Sequence, residues 1–337
     1  MRRSAPPIFS GTLDSSNRTE EGKDLLTLAE LSPEDVVAVL DLSARLKAHR
    51  GAGLGSTALG GKSVALIFEK PSTRTRVSFQ VAINELGGNP IVLGSNELQL
   101  GRGETVEDTG HVLSRYVHCL MARVNRHDDL VRLANASNVP VINGLSEHYH
   151  PVQVLADLLT LKERKGNLKG LKVAWVGDGD NVCNSWAYGA ALTGIRFVAA
   201  TPKGYEPLSS AMADASRIAK ATGAEVRGVT DPVEAVTDAD CVITDTFVSM
   251  GFEEEKRKRS KAFLPKYQVT SALMANAKKD AIFQHCLPAH RGEEVTSEVI
   301  DGPHSTVFDE AENRLHTTKA LLCFLMLPGK GYSSFRP

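Results

Sequence analysis

Net charge is almost absent from this sequence: 39 Lys and Arg stand against 40 Asp and Glu in 337 residues, a formal charge of -1. Such a balance gives no electrostatic reason for binding nucleic acid or an anionic membrane, so any positive potential must be gathered locally, at a site. Cysteine is scarce too. Cys119, Cys183, Cys241, Cys286 and Cys323 are odd in number and none belongs to a CxxC pair, which argues against a disulfide framework or a zinc ribbon and for a reducing compartment. No run approaches the roughly 18 apolar residues of a membrane-spanning helix. Behind Met1-Arg2-Arg3-Ser4-Ala5-Pro6-Pro7 there is no apolar core, and Asp14, Glu20 and Glu21 suit an acid-poor transit peptide badly. Residues 1–24 are therefore expected to be a flexible arm.

Apolar residues, at 42%, suffice for one or two cores, and at roughly 150 residues per domain the length suggests two. Short β-branched runs recur at Val64–Phe68, Pro90–Leu93, Leu120–Val124, Val139–Ile142, Lys172–Val176, Arg196–Ala200, Cys241–Thr244 and Ala281–Gln284. Helical patterns lie between them, such as Val77–Leu86, Val152–Lys162 and Pro207–Thr222. The alternation predicts an α/β protein of two doubly wound domains, each a parallel sheet flanked by helices, with the active site in the interdomain cleft. Boundaries are expected after residues 24, 152 and 310, with a long helix over 152–165 leading into the second unit. A last helix over about 311–327 is expected to cross back onto the first domain. The charge run Glu253–Arg259 reads as a solvated helix face with opposite charges about four apart.

Ligands of open α/β sheets bind beyond the carboxyl ends of strands. The segment in that position after Val64–Phe68 is Glu69-Lys70-Pro71-Ser72-Thr73-Arg74-Thr75-Arg76, with a helical pattern directly behind it. Ser72 or Thr73 suits an N-cap, and the unpaired N–H groups of a helix start attract anions. Two hydroxyls and the planar fork of Arg74 would complete a phosphate site. The bland alternative is a capped helix with surface arginines, and Arg76 is the one expected to be structural. No Walker loop is present, since the glycines and the Lys-Ser/Thr ending are missing.

Ser72-Thr73-Arg74-Thr75-Arg76 resembles the phosphate-binding signature of the aspartate/ornithine carbamoyltransferase family, and further motifs resemble that family in the same order. These are Gln99 in Leu98-Gln99-Leu100-Gly101, Arg123 in Met121-Ala122-Arg123-Val124, His150-Pro151-Val152-Gln153, Asp245-Thr246-Phe247-Val248-Ser249-Met250-Gly251, His285-Cys286-Leu287-Pro288 and Arg314 in Glu312-Asn313-Arg314. The resemblance runs from about Leu25 to Leu327. It implies transfer of the carbamoyl group of carbamoyl phosphate to the side-chain amine of ornithine, giving citrulline and phosphate. The unit 25–152 would bind carbamoyl phosphate and 153–310 ornithine.

By the same resemblance Ser72, Thr73 and Arg74 hold the leaving phosphate. Thr75, Arg123 and His150 converge on the carbamoyl oxygen, Gln153 orients the carbamoyl amide, and Arg314 reaches back to carbamoyl phosphate. Cys286 and the Leu287 carbonyl line the site, with Leu287-Pro288 cis. Asn181, Asp245, Ser249 and Met250 bind ornithine, and Cys286 with Asp245 accepts or relays the amine proton. Gln99 would come from a neighbouring subunit of a homotrimer or a multiple of trimers. No metal or organic cofactor is implied, since positioning and charge stabilisation suffice. The implied setting is arginine metabolism in the cytoplasm, or the mitochondrial matrix for a chain that has lost a presequence. An aspartate acceptor would call for cations in the 245–251 loop, which has none; putrescine stays open. A dinucleotide enzyme fits poorly, because Gly177-Asp178-Gly179 lacks its third glycine at Val182 and no acid follows Arg196–Ala200. A non-catalytic relative should have lost site residues, and none is lost.

Overall fold

The computed structural model describes residues 24–53, 56–98, 103–248 and 255–327. The N-terminal arm, Gln99, Ser249 and Met250 lie outside the described residues. A first parallel sheet is built from β1 (Ser63–Phe68), β2 (Asn89–Gly94), β3 (Cys119–Arg123) and β4 (Val141–Leu145), in the order β2-β1-β3-β4. A second holds β5 (Lys172–Val176), β6 (Arg196–Ala200), β7 (Glu225–Val229), β8 (Cys241–Thr244) and β9 (Ile282–His285), in the order β7-β6-β5-β8-β9. The central strands are continuous apolar runs because helices cover both of their faces; β3, for one, is buried at all of its positions.

The longer helices are α1 (Pro33–Gly51), α2 (Thr73–Glu85), α3 (Val106–Leu113), α4 (His127–Ala136), α5 (Pro151–Lys165), α6 (Asn181–Thr193) and α7 (Ser209–Thr222). After α8 (Pro232–Val236), α9 (Lys256–Phe263), α10 (Ser271–Met274) and α11 (Ser297–Ile300) comes α12 (Val307–Met326). Their ends follow capping chemistry. Ser32 and Asp35 form a capping box ahead of α1, and Gly194 closes α6 in the left-handed conformation. Helix α12 packs against α1, α2, α5 and β9, so it ties the two sheets together. Among the described residues no helix is long and apolar enough to cross a membrane.

Strand order fixes where a ligand can enter. In the first sheet the chain steps from β1 out to β2 and then back across to β3, so the loops after β1 and β3 part and leave a crevice. The second sheet repeats this between β5 and β8. The segments after β1, β3, β5 and β8 are therefore the candidate walls.

Several expectations need correction. Strand β7 was not anticipated: Glu-Val-Arg-Gly-Val mixes charge and glycine, as an edge strand does. The last helix starts at Val307 rather than 311, so Arg314 sits two turns inside it instead of opening it. Asp309 and Glu310 in its first turn are the acids that a helix N-terminus favours. The charge run is not wholly solvated. Arg259 does pair with Glu255 at 3.4 Å, but it is buried, pairs with Asp178 and lies 5.2 Å from the Tyr205 ring centre.

Candidate active site

Helix α2 starts at Thr73 with Ser72 as N-cap, and the Ser72 hydroxyl makes no capping bond to the helix. Its hydroxyl and the first-turn N–H groups thus face outward from the crevice end of β1. Thr75 is buried, Arg74 half-buried and Arg76 exposed. Glu69 locks the neighbouring strand ends together: its N–H donates to the Arg123 carbonyl at 2.9 Å, and its carboxylate accepts from the Asn125 N–H at 2.6 Å. Arg123, the last residue of β3, is thereby held beside the α2 start.

His150 precedes α5, and its backbone N–H donates to Ser185 Oγ at 2.8 Å. The start of α6 clamps the whole 146–150 loop, with Asn181 Nδ2 donating to the Ser146 carbonyl at 3.0 Å and Asn184 Nδ2 to the His148 carbonyl at 3.1 Å. One amide hydrogen of Asn181 is thus engaged with the protein, leaving its second hydrogen and its carbonyl oxygen. Asp180 caps α6 by accepting from the N–H groups of Val182 and Cys183 at 3.1 and 3.3 Å.

Arg314 joins the constellation from α12. Its Nη1 donates to Gln153 Oε1 at 2.5 Å and its Nη2 to Thr75 Oγ1 at 3.4 Å. Burial lowers the pKa of Arg314 to about 10, with Arg123 and Arg74 adding repulsion. Arg123 is likewise lowered to about 10 by burial and by Arg74. Burial, then Arg314, Arg123 and Arg74, push His150 well below the usual imidazole value. The imidazole is therefore neutral at pH 7 and offers one N–H as a donor. Arg123 Nε, Arg314 Nε and His150 Nδ1 are all buried with no hydrogen-bond partner among the described residues. Such orphans are rare, and three in one place mark a site built for an oxygen-rich anion.

Across the crevice, Cys286 follows β9 and Asp245 follows β8. Burial, then Asp245, Glu310 and Asp180, push the Cys286 thiol well above its usual pKa, so it keeps its proton at pH 7. Asp178 and Asp180 stand near Asp245; burial, then Asp245 and Asp178, push Asp180 far above the usual carboxylate range. This acidic wall suits a cationic ligand. The peptide Leu287-Pro288 is cis, and Leu287 has a φ of 57°. Its N–H donates to His285 Nδ1 at 2.9 Å, while His285 Nε2 faces Glu294 Oε1 at 3.3 Å. Asp245, His285 and Cys286 bring donor atoms within 4.8 Å of one another. Both His285 nitrogens are already engaged by the protein.

Gly179 explains the turn after β5 without a dinucleotide. A Cβ there would lie 2.2 Å from Pro207 N and 2.4 Å from the Glu206 carbonyl carbon, so only glycine admits this backbone contact. A surface cavity of about 380 Å³ lined by Ser271, Met274, Lys278 and His304 lies apart from these residues, and Lys278 in it already pairs with Asp240 at 2.6 Å. Sequence reading missed Asp157, Asp178, Arg259 and Glu310, whose roles emerge only with their distant partners. Buried acids next to motif residues, such as Asp157 four after Gln153, were the available signal.

Comparison with known proteins identifies the family. Residues 23–163 match the model of the aspartate/ornithine carbamoyltransferase carbamoyl-P binding domain, and 169–325 that of the Asp/Orn binding domain. An ornithine carbamoyltransferase of Carboxydothermus hydrogenoformans is 52% identical over 305 residues, 90% of this chain and 98% of that protein. One from Bacillus subtilis is 52% identical over 309 residues, 92% of this chain and 95% of that one. The solved ornithine carbamoyltransferase of Pyrococcus furiosus superposes with a TM-score of 0.88 at 49% identity, covering 92% of this chain and 99% of its own.

Proposed function

Because the chain belongs to the aspartate/ornithine carbamoyltransferase family, we propose that the crevice transfers the carbamoyl group of carbamoyl phosphate to the side-chain amine of ornithine. The observation that carries this reading is the convergence of Arg74, Arg123, Arg314 and a neutral His150 opposite the Cys286–Asp245 pair. Ser72, Thr73, Arg74 and the first N–H groups of α2 receive the phosphate. Thr75, Arg123 and His150 donate to the carbamoyl oxygen. When the amine nitrogen attacks the carbamoyl carbon, that oxygen takes up negative charge, and each donor aimed at it is worth about 2.7–4 kcal/mol. The tetrahedral state then collapses, the C–O bond to phosphorus breaks, and phosphate leaves with the bonding pair.

Ornithine enters with two ammonium groups and one carboxylate, and the Asp245 side chain favours its cationic groups. Its side-chain amine has a solution pKa of about 10.4, so presenting it neutral at pH 7 requires a shift of roughly 3 units. Desolvation in the crevice supplies that shift, since a nearby carboxylate by itself holds an amine protonated; Asp245 is the base that takes the proton as the nitrogen attacks. Ser249, Met250 and Asn181 complete the acceptor side, and the Leu287 carbonyl the carbamoyl side. A homotrimer, with Gln99 supplied by a neighbouring subunit, is the assembly this family resemblance supports. Exposed Val77 on α2 and Ile91 on β2 are apolar groups that such a contact would cover. Arginine biosynthesis in the cytoplasm is the accompanying reading; a solved Campylobacter jejuni relative, 44% identical, is described as anabolic.

One assay tests the function: ornithine, putrescine, aspartate and acetylornithine offered at equal concentration with carbamoyl phosphate. Ornithine is expected to give citrulline at least about 100-fold faster than the others, because the acidic wall rejects aspartate and the site is built to pair the amino-acid end. Faster carbamoylation of aspartate or putrescine would overturn the assignment.

A further inference from the structure

We propose that Asp157 and Glu310 are a positioning pair that fixes which end of the Gln153 carboxamide faces the crevice, and so makes the site select a donor whose acyl carbon bears an amino group. The inference rests on the carbamoyl-transfer reading. Asp157 lies one turn beyond Gln153 on α5 and Glu310 one turn before Arg314 on α12, and all four side chains are buried. Gln153 Nε2 donates to Asp157 Oδ1 and to Glu310 Oε1, each at 2.8 Å. Both amide hydrogens are thereby used. The carbonyl end must then point the other way, where Oε1 accepts from Arg314 Nη1 at 2.5 Å. Turned over, the amide would set its oxygen against two carboxyl groups and its NH2 against a guanidinium, which are repulsive contacts in a buried place.

An amide oxygen has two lone pairs. Arg314 takes one, and the second is left for the NH2 of a carbamoyl group held above Arg314. The carboxyl oxygens are themselves anchored. Asp157 Oδ2 accepts from Trp186 Nε1 at 2.8 Å and Glu310 Oε2 from the His285 N–H at 3.0 Å. Two adjacent buried carboxyl groups share one proton. Burial and then Asp157 push Glu310 well above its usual value, whereas Asp157 is raised only to about 6. The pair thus holds a proton between its two carboxyl groups, with burial raising both.

The test compares carbamoyl phosphate with acetyl phosphate, which has the same charge and nearly the same shape but carries a methyl group in place of NH2. Affinities for both are measured in wild type, Asp157→Asn, Glu310→Gln and Glu310→Ala, alongside citrulline formation and thermal unfolding. Wild type is expected to prefer carbamoyl phosphate by about tenfold or more, the worth of one buried hydrogen bond and the penalty for leaving it unmade. Glu310→Gln turns an NH2 towards Gln153 Nε2 or the His285 N–H, so the preference is expected to fall there. Asp157→Asn turns an NH2 towards Gln153 Nε2 or Trp186 Nε1, so the ratio falls towards one while acetyl phosphate affinity stays within about threefold. Glu310→Ala does the same should Asp157→Asn fail to fold. Equal weakening of both ligands, an unchanged ratio in Asp157→Asn and Glu310→Ala, or a wild type that makes citrulline without any preference would overturn the inference. A wild type that makes no citrulline overturns the functional reading instead.

Discussion

Three guanidinium groups share one crevice, and burial lowers Arg123 and Arg314 to about 10. They repel one another until an anion arrives, so ligand charge is stabilised against groups already in place. Arg74→Ala removes a charge-assisted donor worth about 1.5–3 kcal/mol, so KM for carbamoyl phosphate should rise about 10- to 100-fold in steady-state assays. KM for ornithine should move far less. His127 shows how burial acts elsewhere in the first unit. Its pKa is lowered to about 4 by burial and by His148, and its Nδ1 lies 2.9 Å from Ser146 Oγ. The folded form therefore binds fewer protons than the unfolded form between about 4 and 6.5, and stability falls as pH drops through that window. Allowing for partial exposure, the loss by pH 5 is about 1 kcal/mol. His127→Asn should narrow the Tm difference between pH 7 and pH 5. An unchanged difference would mean that the ring is not held neutral. At this scale Arg74, Arg123, His150 and Cys286 were legible because each stands at a strand end within a motif. Arg259 was not: its buried partner Asp178 is 81 residues away, and a charge run alone looks solvated.

Elements carried their own signals unequally. The continuous apolar runs of β1, β3, β5 and β8 are visible as sequence because parallel strands are covered on both faces. Edge strand β7 hides among polar residues for the opposite reason, being half-open to water. The helical stripe from Val77 onward marks only the later turns of α2; its polar first turn, Thr73 to Arg76, carries no apolar stripe, and Ser72 stands at the N-cap without a side-chain bond to it. The turn between β5 and α6 depends on a close backbone approach rather than on periodicity. In Gly179→Ala the new Cβ meets backbone atoms of residues 206 and 207 at 2.2–2.4 Å, which cannot rotate away. The expected cost is about 1–3 kcal/mol in urea unfolding. A rise in KM for ornithine should accompany it, because the same turn presents Asp178 and Asp180.

For the whole molecule, two sheets each with a switch point place their crevices against one another, and α12 holds them by packing on α1, α2 and α5. That architecture could be read from the alternation of runs. The depth of α12 could not, since its first turn carries no apolar stripe of its own. A preformed cationic crevice in the folded chain, absent from the unfolded one, implies ligand-linked stability. Carbamoyl phosphate or inorganic phosphate at about 100 times its Kd should add roughly 2.7 kcal/mol, seen as a higher Tm. Arg74→Ala should show little of this rise, and an equal rise would place the anion elsewhere.

The guanidinium of Arg259 also donates to the Phe247 carbonyl at 3.2 Å while it pairs with Asp178. One side chain thus joins the end of the loop after β8 and the start of α9 to the turn after β5, so Phe247 and Asp178 are held to a common anchor.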